Sequence, residues 1–236
     1  MLIAAVETST ARSSVALAGP DGVLASSALA RDRRHGEFVV PALQQLLHHL
    51  GAGVGDLTGV VAGTGPGLYT GLRVGLVTVA TLGATLGLPA VGLPGPDALA
   101  HRARHAGRDV AVVLDARRRE VYWGRYEAMP EGGRRLVDPL RVGTGDEAAA
   151  DLAAAGRPLL LVGDGLHRLG DLGATDVAHG GSDLAQPDAA DLALLALPRF
   201  AAGDTVDPAT LRPVYLRDAD AKIPWDERSR VRGGNG

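Results

Sequence analysis

Two acidic residues stand where this chain could handle a magnesium-bound phosphate. Glu7 follows the apolar run "LIAAV" (2–6), and Asp115 closes most of "DVAVVLDA" (109–116), so each ends the first strand-like run of its half. Carboxylates at strand ends facing a cleft between two halves can hold Mg2+ and through it a nucleotide. The same acids serve equally well as loop caps. Between them lies "GTGPGLYTGLRVG" (63–75), with five glycines and one proline ahead of a helical pattern. Backbone amides in that context cradle phosphate. The residues do not fit the two known phosphate motifs, which need a lysine after the second glycine or glycines at the first, third and sixth places. Counted from Gly63 the sixth place is Leu68, and from Gly65 it is Thr70. An anion at the N-terminus of the Thr70 helix stays open.

Other chemistries are narrowed by composition. The chain has no cysteine, which excludes disulfides, thiolate nucleophiles and Cys-based metal sites. Of 24 basic residues one, Lys222, is a lysine. "HRARH" puts His101 and His105 four apart on one helix face, but Arg102 and Arg104 make the surroundings cationic, so a solvated face is expected rather than a metal. His48 and His49 suit the C-terminal end of a helix. No Ser/His/Asp set presents itself, and the serine-rich "ETSTARSS" (7–14) has no nearby histidine. The clusters "RDRR" (31–34) and "ARRR" (116–119) are expected as solvated loops, with phosphate contact as the alternative. Tyr122, Trp123 and Tyr126 read as a core or interface patch.

The elements that must position these residues form two similar halves. In the first come strands over "LIAAV", "SSVALA" (13–18) and "VLASSALA" (23–30), separated by the turn "GPDG". Apolar residues at Val39, Val40, Leu43, Leu46, Leu47 and Leu50 then repeat at helical spacing up to Gly51. Pro41 fits if it lies in the first turn. "LTGVVAG" (57–63) reads as a buried strand, followed by a helix over about 70–88, the strand "LPAVGL" and the helix "PDALAHRARHAG". The second half opens on a hairpin, "DVAVVLDA" and "EVYWGRYEA" (120–128). It continues with a helix at 146–155, the strand "PLLLVG" and a helix around 188–202. The plan predicts lobes at 1–105 and 106–221, each a mixed sheet with helices, and a disordered tail at 222–236.

The helix over 70–88 carries no charge after Arg73. A helix apolar all round is expected to be buried all round, and this one is too rich in Gly and Thr to make a convincing membrane span. Gly71, Gly75, Gly83 and Gly87 fall at multiples of four, a smooth ridge for close packing. It is either a central core helix or one with a face on its own sheet and another on a partner. The net charge of −3 gives no general attraction to nucleic acid or membrane. "MLIAAV" is too short for a signal peptide, so a cytoplasmic location is expected.

Several phrases together resemble the bacterial TsaB family: "AVETST" with "SSVAL", "HGEFVVPALQQLL", "GPGLYTGLRVG", "LDARRREVYWGRY" and "PVYLRDA", spanning residue 1 to about 221. These are the non-catalytic partner subunits in tRNA threonylcarbamoyladenosine synthesis. The resemblance implies an α/β, two-lobed fold of the actin-like ATPase, sugar-kinase and Hsp70 type with duplicated mixed-sheet domains. The family is similar to the catalytic transferase TsaD without its metal histidines. Here "PGPDAL" stands where that paralogue has "NHLEGH", so Gly95 and Leu99 replace both histidines, and His101 and His105 fall beyond the register.

The resemblance also implies a docking role. The helices at about 36–50 and 70–88 would meet a TsaD-type catalytic subunit or a second copy, through Val39, Leu43, Leu46, Leu47, Gly71, Leu72, Gly75, Leu76 and Val79. A TsaE-type ATPase joins, and tRNA is met only through the complex. No cofactor is required; Glu7, Thr8, Ser9 and Asp115 would form a vestigial cleft for weak ATP or ADP with Mg2+, or such a nucleotide would sit at the interface. This chain departs from the family pattern in three places. Glu7 replaces the usual Asp, Leu68–Tyr69 the usual Ser-Phe, and Thr81 a common lysine. Two competing readings are an ATP-dependent phosphotransferase or ATPase using Glu7 and Asp115, and a peptidase, for which no nucleophile or metal site is found.

Overall fold

The continuous apolar runs become central strands of two sheets covered on both faces, as such runs must. The computed structural model describes residues 1–30, 35–130 and 132–216; "RDRR" (31–34), Lys222 and the expected tail at 222–236 lie outside the described residues. In the first sheet β1 (Ile3–Glu7) and β2 (Ser13–Gly19) are buried along their whole length. With β3 (Gly22–Leu29), β4 (Gly59–Gly63) and β5 (Ala90–Leu93) they give the order β3-β2-β1-β4-β5. The second sheet contains β6 (Asp109–Arg117), β7 (Glu120–Ala128), β8 (Arg134–Leu136), β9 (Arg141–Thr144), β10 (Leu159–Val162) and β11 (Val177–His179). Its order is β11-β10-β6-β7-β8, with β9 also on β7. In each sheet the first strand pairs antiparallel with the second and parallel with the strand that follows the first long crossover. The expected duplication is therefore present, and Glu7 and Asp115 occupy equivalent strands. The sequence pattern does not reveal β8, β9 and β11, whose three or four residues are too few to show a period.

Among the described residues five helices cover the sheets: α1 (His35–His49), α2 (Tyr69–Leu86), α3 (Gly95–Arg102), α4 (Gly145–Ala154) and α5 (Ala189–Ala202). Their ends follow local chemistry. Thr144 and Glu147 form a capping box at α4, with Thr144 Oγ1 accepting from Glu147 N at 3.2 Å and Glu147 Oε2 accepting from Thr144 N at 2.7 Å. Asp188 caps α5, and Gly87 and Gly203 end α2 and α5 in the left-handed conformation. Pro41 falls in the second turn of α1, not the first, and is exposed.

Alternate strand residues divide the first core. Ala4, Val6, Val15, Leu17, Val60 and Ala62 face α1 and α2, whereas Ile3, Ala5, Ala16, Ala18, Val61 and Val91 face α5. This corrects the lobe boundaries: α5, assigned by chain order to the second lobe, covers the first sheet. The Pro208 turn does the same by packing on Gly83 of α2. α3 lies between the lobes, with Ala98 in the first core and Leu99, Ala100 and Ala103 (just past its end) against β6 and β7. α4 covers the other face of the second sheet through Ala148 and Leu152.

Candidate functional site

At the end of β1 the chain closes on itself. The Glu7 carboxyl is fully buried; its Oε1 accepts from Ser9 N at 2.5 Å, and Oε2 has no hydrogen-bond partner among the described residues. Thr8 Oγ1 donates to the Gly71 carbonyl at 2.8 Å, and Leu68 N donates to Ser9 O at 2.6 Å. Four glycines, at 63, 67, 71 and 75, form the trough that receives this loop. A Cβ at Gly63 would strike the Glu7 carboxyl, at Gly67 the Ser9 backbone, at Gly71 the Thr8 carbonyl and at Gly75 the Thr8 hydroxyl. The glycine ridge thus packs against the protein's own β1–β2 loop and, through Gly83, against Pro208. Gly87 serves as the helix stop.

The facing lobe is closed as well. Asp115 Oδ1 accepts from Arg168 Nε at 2.9 Å and from Arg117 N at 2.8 Å, and Asp115 N donates to Asp164 Oδ1 at 2.9 Å. Tyr126 donates to Asp97 Oδ1 at 2.7 Å, tying β7 to α3. Ser9, Thr10, Pro66, Gly67, Leu114 and Asp115 line a cavity of about 10 Å³. Pockets for drug-sized ligands run to roughly 300–1,000 Å³. This one has room for about one water molecule. Of the four residues expected to form a vestigial cleft, Ser9 and Asp115 line this cavity together with Pro66 and Gly67 of the glycine turn, whereas Glu7 and Thr8 are buried and do not line it.

Burial pushes the Glu7 carboxyl above its usual value, against the opposing hydrogen bonds from Ser9. The stability of the protonated form is present below the ordinary carboxylate range and is lost as pH rises through the raised value. Glu7→Gln is therefore expected to be more stable than the parent at pH 7 by about 1–3 kcal/mol. In thermal melts across pH, the advantage should shrink toward acid. A pH-independent gap would refute this account.

The histidines separate. Gly95 opens α3 with Ser9 and Glu7 beside it, and Leu99 is fully buried, so the two positions matching the paralogue's histidines offer no ligand. His105 lies beyond the end of α3, and burial followed by Arg104 pushes the His101 imidazole below its usual value. Among the described residues no three metal-ligating side chains cluster.

One pairing escaped the sequence. Ser13 Oγ lies 2.6 Å from His35 Nδ1, so "ETSTARSS" does have a histidine beside it, brought across the 22-residue separation by the α1–β2 packing. Both side chains are buried and join β2 to the start of α1. A serine nucleophile must reach substrate, and this one is 0% exposed. Ser13→Ala is expected to lose about 1 kcal/mol of stability, while a fluorophosphonate probe leaves the parent protein unlabelled. Labelling at Ser13 would make it a nucleophile after all.

The assignment of partner contacts requires correction. Val39, Leu43, Leu46, Leu47, Leu72, Leu76 and Val79 are 7% exposed or less and pack in the first core. Gly71 and Gly75 are buried against Thr8. The periodicity that makes these residues prominent is the periodicity of the inward face. The outward face of α2 presents Tyr69, Arg73, Val77, Thr81 and Ala84, with Val77 63% exposed. α2 is thus not buried all round. By length and composition it could also cross a membrane, which is weak grounds for a helix packed on its own sheet. Beside it α1 exposes Val40 and Gln44. At the head of α2, Tyr69 stacks on Tyr215 with ring centroids 5.9 Å apart, and the Arg73 guanidinium lies 4.2 Å from the Tyr69 ring centroid. Tyr215 joins this group because Val214 N donates to Thr64 O at 2.8 Å, a contact no sequence spacing announces.

Two sheets of one plan, joined across a filled cleft, define the duplicated two-lobed fold of the actin-like ATPases and sugar kinases. A family described as TsaD, tRNA N6-adenosine threonylcarbamoyltransferase, matches residues 19–145. The tRNA threonylcarbamoyladenosine biosynthesis protein TsaB of Bacillus subtilis is 30% identical over 242 residues, covering 98% of this chain and 100% of the relative. TsaB of Escherichia coli is 30% identical over 235 residues, covering 96% and 100%. A Pseudomonas aeruginosa crystal structure, described as an uncharacterized protein with similarity to peptidase YeaZ, superposes with a TM-score of 0.80. It is 31% identical and covers 92% of this chain and 99% of that one. The chain belongs to the TsaB family.

Proposed function

We propose that this chain is a non-catalytic subunit in the threonylcarbamoylation of the tRNA adenosine next to the anticodon. It acts in the cytoplasm, docked on a TsaD-type catalytic subunit. A TsaE-type ATPase joins the assembly, and the chain pairs with a second copy when isolated. The reading rests on one contrast. The cavity between Ser9 and Asp115 measures about 10 Å³, while the outer face of α2, which carries no charge after Arg73, is open, with Val77 63% exposed. Apolar and aromatic surface flanked by polar residues suits a protein partner.

The supporting experiment is co-purification with the TsaD-type subunit, followed by nucleoside analysis of tRNA from cells depleted of this chain. Absence of both association and a modification defect would end the proposal. The ATPase alternative is decided by calorimetry of the isolated chain with Mg-ATP. Micromolar binding, with turnover lost in Glu7→Gln, would favour it. The peptidase alternative would need Ser13 to become reachable.

A further inference from the structure

The β6–β7 hairpin turns through Arg117, Arg118 and Arg119, whose φ angles are 64, 50 and 69°. Three consecutive residues in the left-handed region, none of them glycine or asparagine, are disfavoured for L-amino acids. Such strain persists only where the surroundings impose it, and it collects at functional positions. Here the support is explicit. Asp115 Oδ1 accepts from Arg117 N at 2.8 Å and from Arg168 Nε at 2.9 Å, and Asp164 holds the Asp115 amide. The carboxylate beneath the turn is thus shared between Arg168 and the Arg117 guanidinium, whose Nη1 lies 3.6 Å from Asp115 Oδ2. All three arginines of the tip are exposed.

The tip stands at the mouth of the interlobe space, where Arg117 lines the same small cavity as Thr10 from the first lobe and Leu68 ahead of α2. In a chain of net charge −3 this is a local concentration of guanidinium, whose planar fork matches phosphate oxygens. We infer that the Arg117–Arg119 turn is a phosphate-contacting element that grips the tRNA backbone. The inference rests on the proposed function and goes further: this chain touches the tRNA itself. Backbone phosphates carry no sequence information, so the turn positions the tRNA without selecting its sequence.

The test uses Arg119→Gly and the double variant Arg118→Ala/Arg119→Gly. The parent chain is first checked for co-elution with the TsaD-type subunit, and the assembled complex is then titrated with unmodified tRNA over a range of salt. Glycine adopts φ near 69° freely, so Arg119→Gly is expected to unfold at a higher temperature than the parent. The same variant should bind tRNA several-fold more weakly, with a salt slope reduced by about 0.7–0.9 per cation removed. Higher stability with unchanged affinity and slope overturns the inference and leaves a purely structural turn. Loss of co-elution in the variants alone also overturns it, making the turn a contact for an acidic protein surface. If the parent itself fails to co-elute, the docking reading has failed. The titration of the isolated chain then decides the inference by the same comparison.

Discussion

Gly67→Ala is expected to lower the unfolding free energy by about 3 kcal/mol, the upper end of what overpacking costs in a tight interior. The new Cβ would lie 2.8 Å from the Ser9 carbonyl carbon and 2.9 Å from its Cβ, and closer still to its oxygen. These are backbone and near-backbone atoms, which cannot swing aside as the end of a flexible side chain could. The loop carrying them is held at three points: by the Ser9 amide on Glu7, by the Thr8 hydroxyl on Gly71 and by the Leu68 amide on Ser9. Relief of the clash must break at least one of these bonds. Gly36→Ala in α1 is the control, since nothing lies within 4 Å of its added Cβ. Alanine is the better helix former, so that variant should be neutral or gain up to about 1 kcal/mol. Urea unfolding of the three proteins gives the comparison. Equal midpoints for Gly67→Ala and the parent would show that the trough is slack.

Val77→Glu is expected to weaken docking on the TsaD-type subunit by about thirty-fold or more, the effect of removing a contact worth at least 2 kcal/mol. The unfolding transition should stay where it is, because Val77 is 63% exposed and supports no core contact. Its neighbour gives the opposite result. Leu76 is 6% exposed and packs in the first core, so Leu76→Glu buries an unpaired carboxylate and unfolds the lobe. One residue along the helix therefore separates a binding defect from a folding defect. Calorimetry against the catalytic subunit, with a thermal melt of each variant, reads both. Normal docking by Val77→Glu would remove the outer face of α2 from the interface.

The amino-acid sequence by itself determined the elements and the family. Apolar runs marked the central strands, helical spacing marked α1 and α2, and the ordered phrases from "AVETST" to "PVYLRDA" carried the resemblance. It also put Glu7 and Asp115 on equivalent strands, because the duplicated plan repeats the strand that carries each. What it could not supply was direction. Periodicity identifies the buried face of a helix but not what buries it, so Leu43 and Leu76 looked like partner contacts when they face the chain's own sheet. Glycines spaced by four announce a close approach without naming the approaching backbone, which proved to be Thr8 and Ser9. Ser13 with His35, Tyr69 with Tyr215, and α5 on the first sheet are likewise products of long-range packing. Only the folded chain brings residues so far apart in sequence into contact, and with them it decides that the cleft is filled and that a helix face is left open.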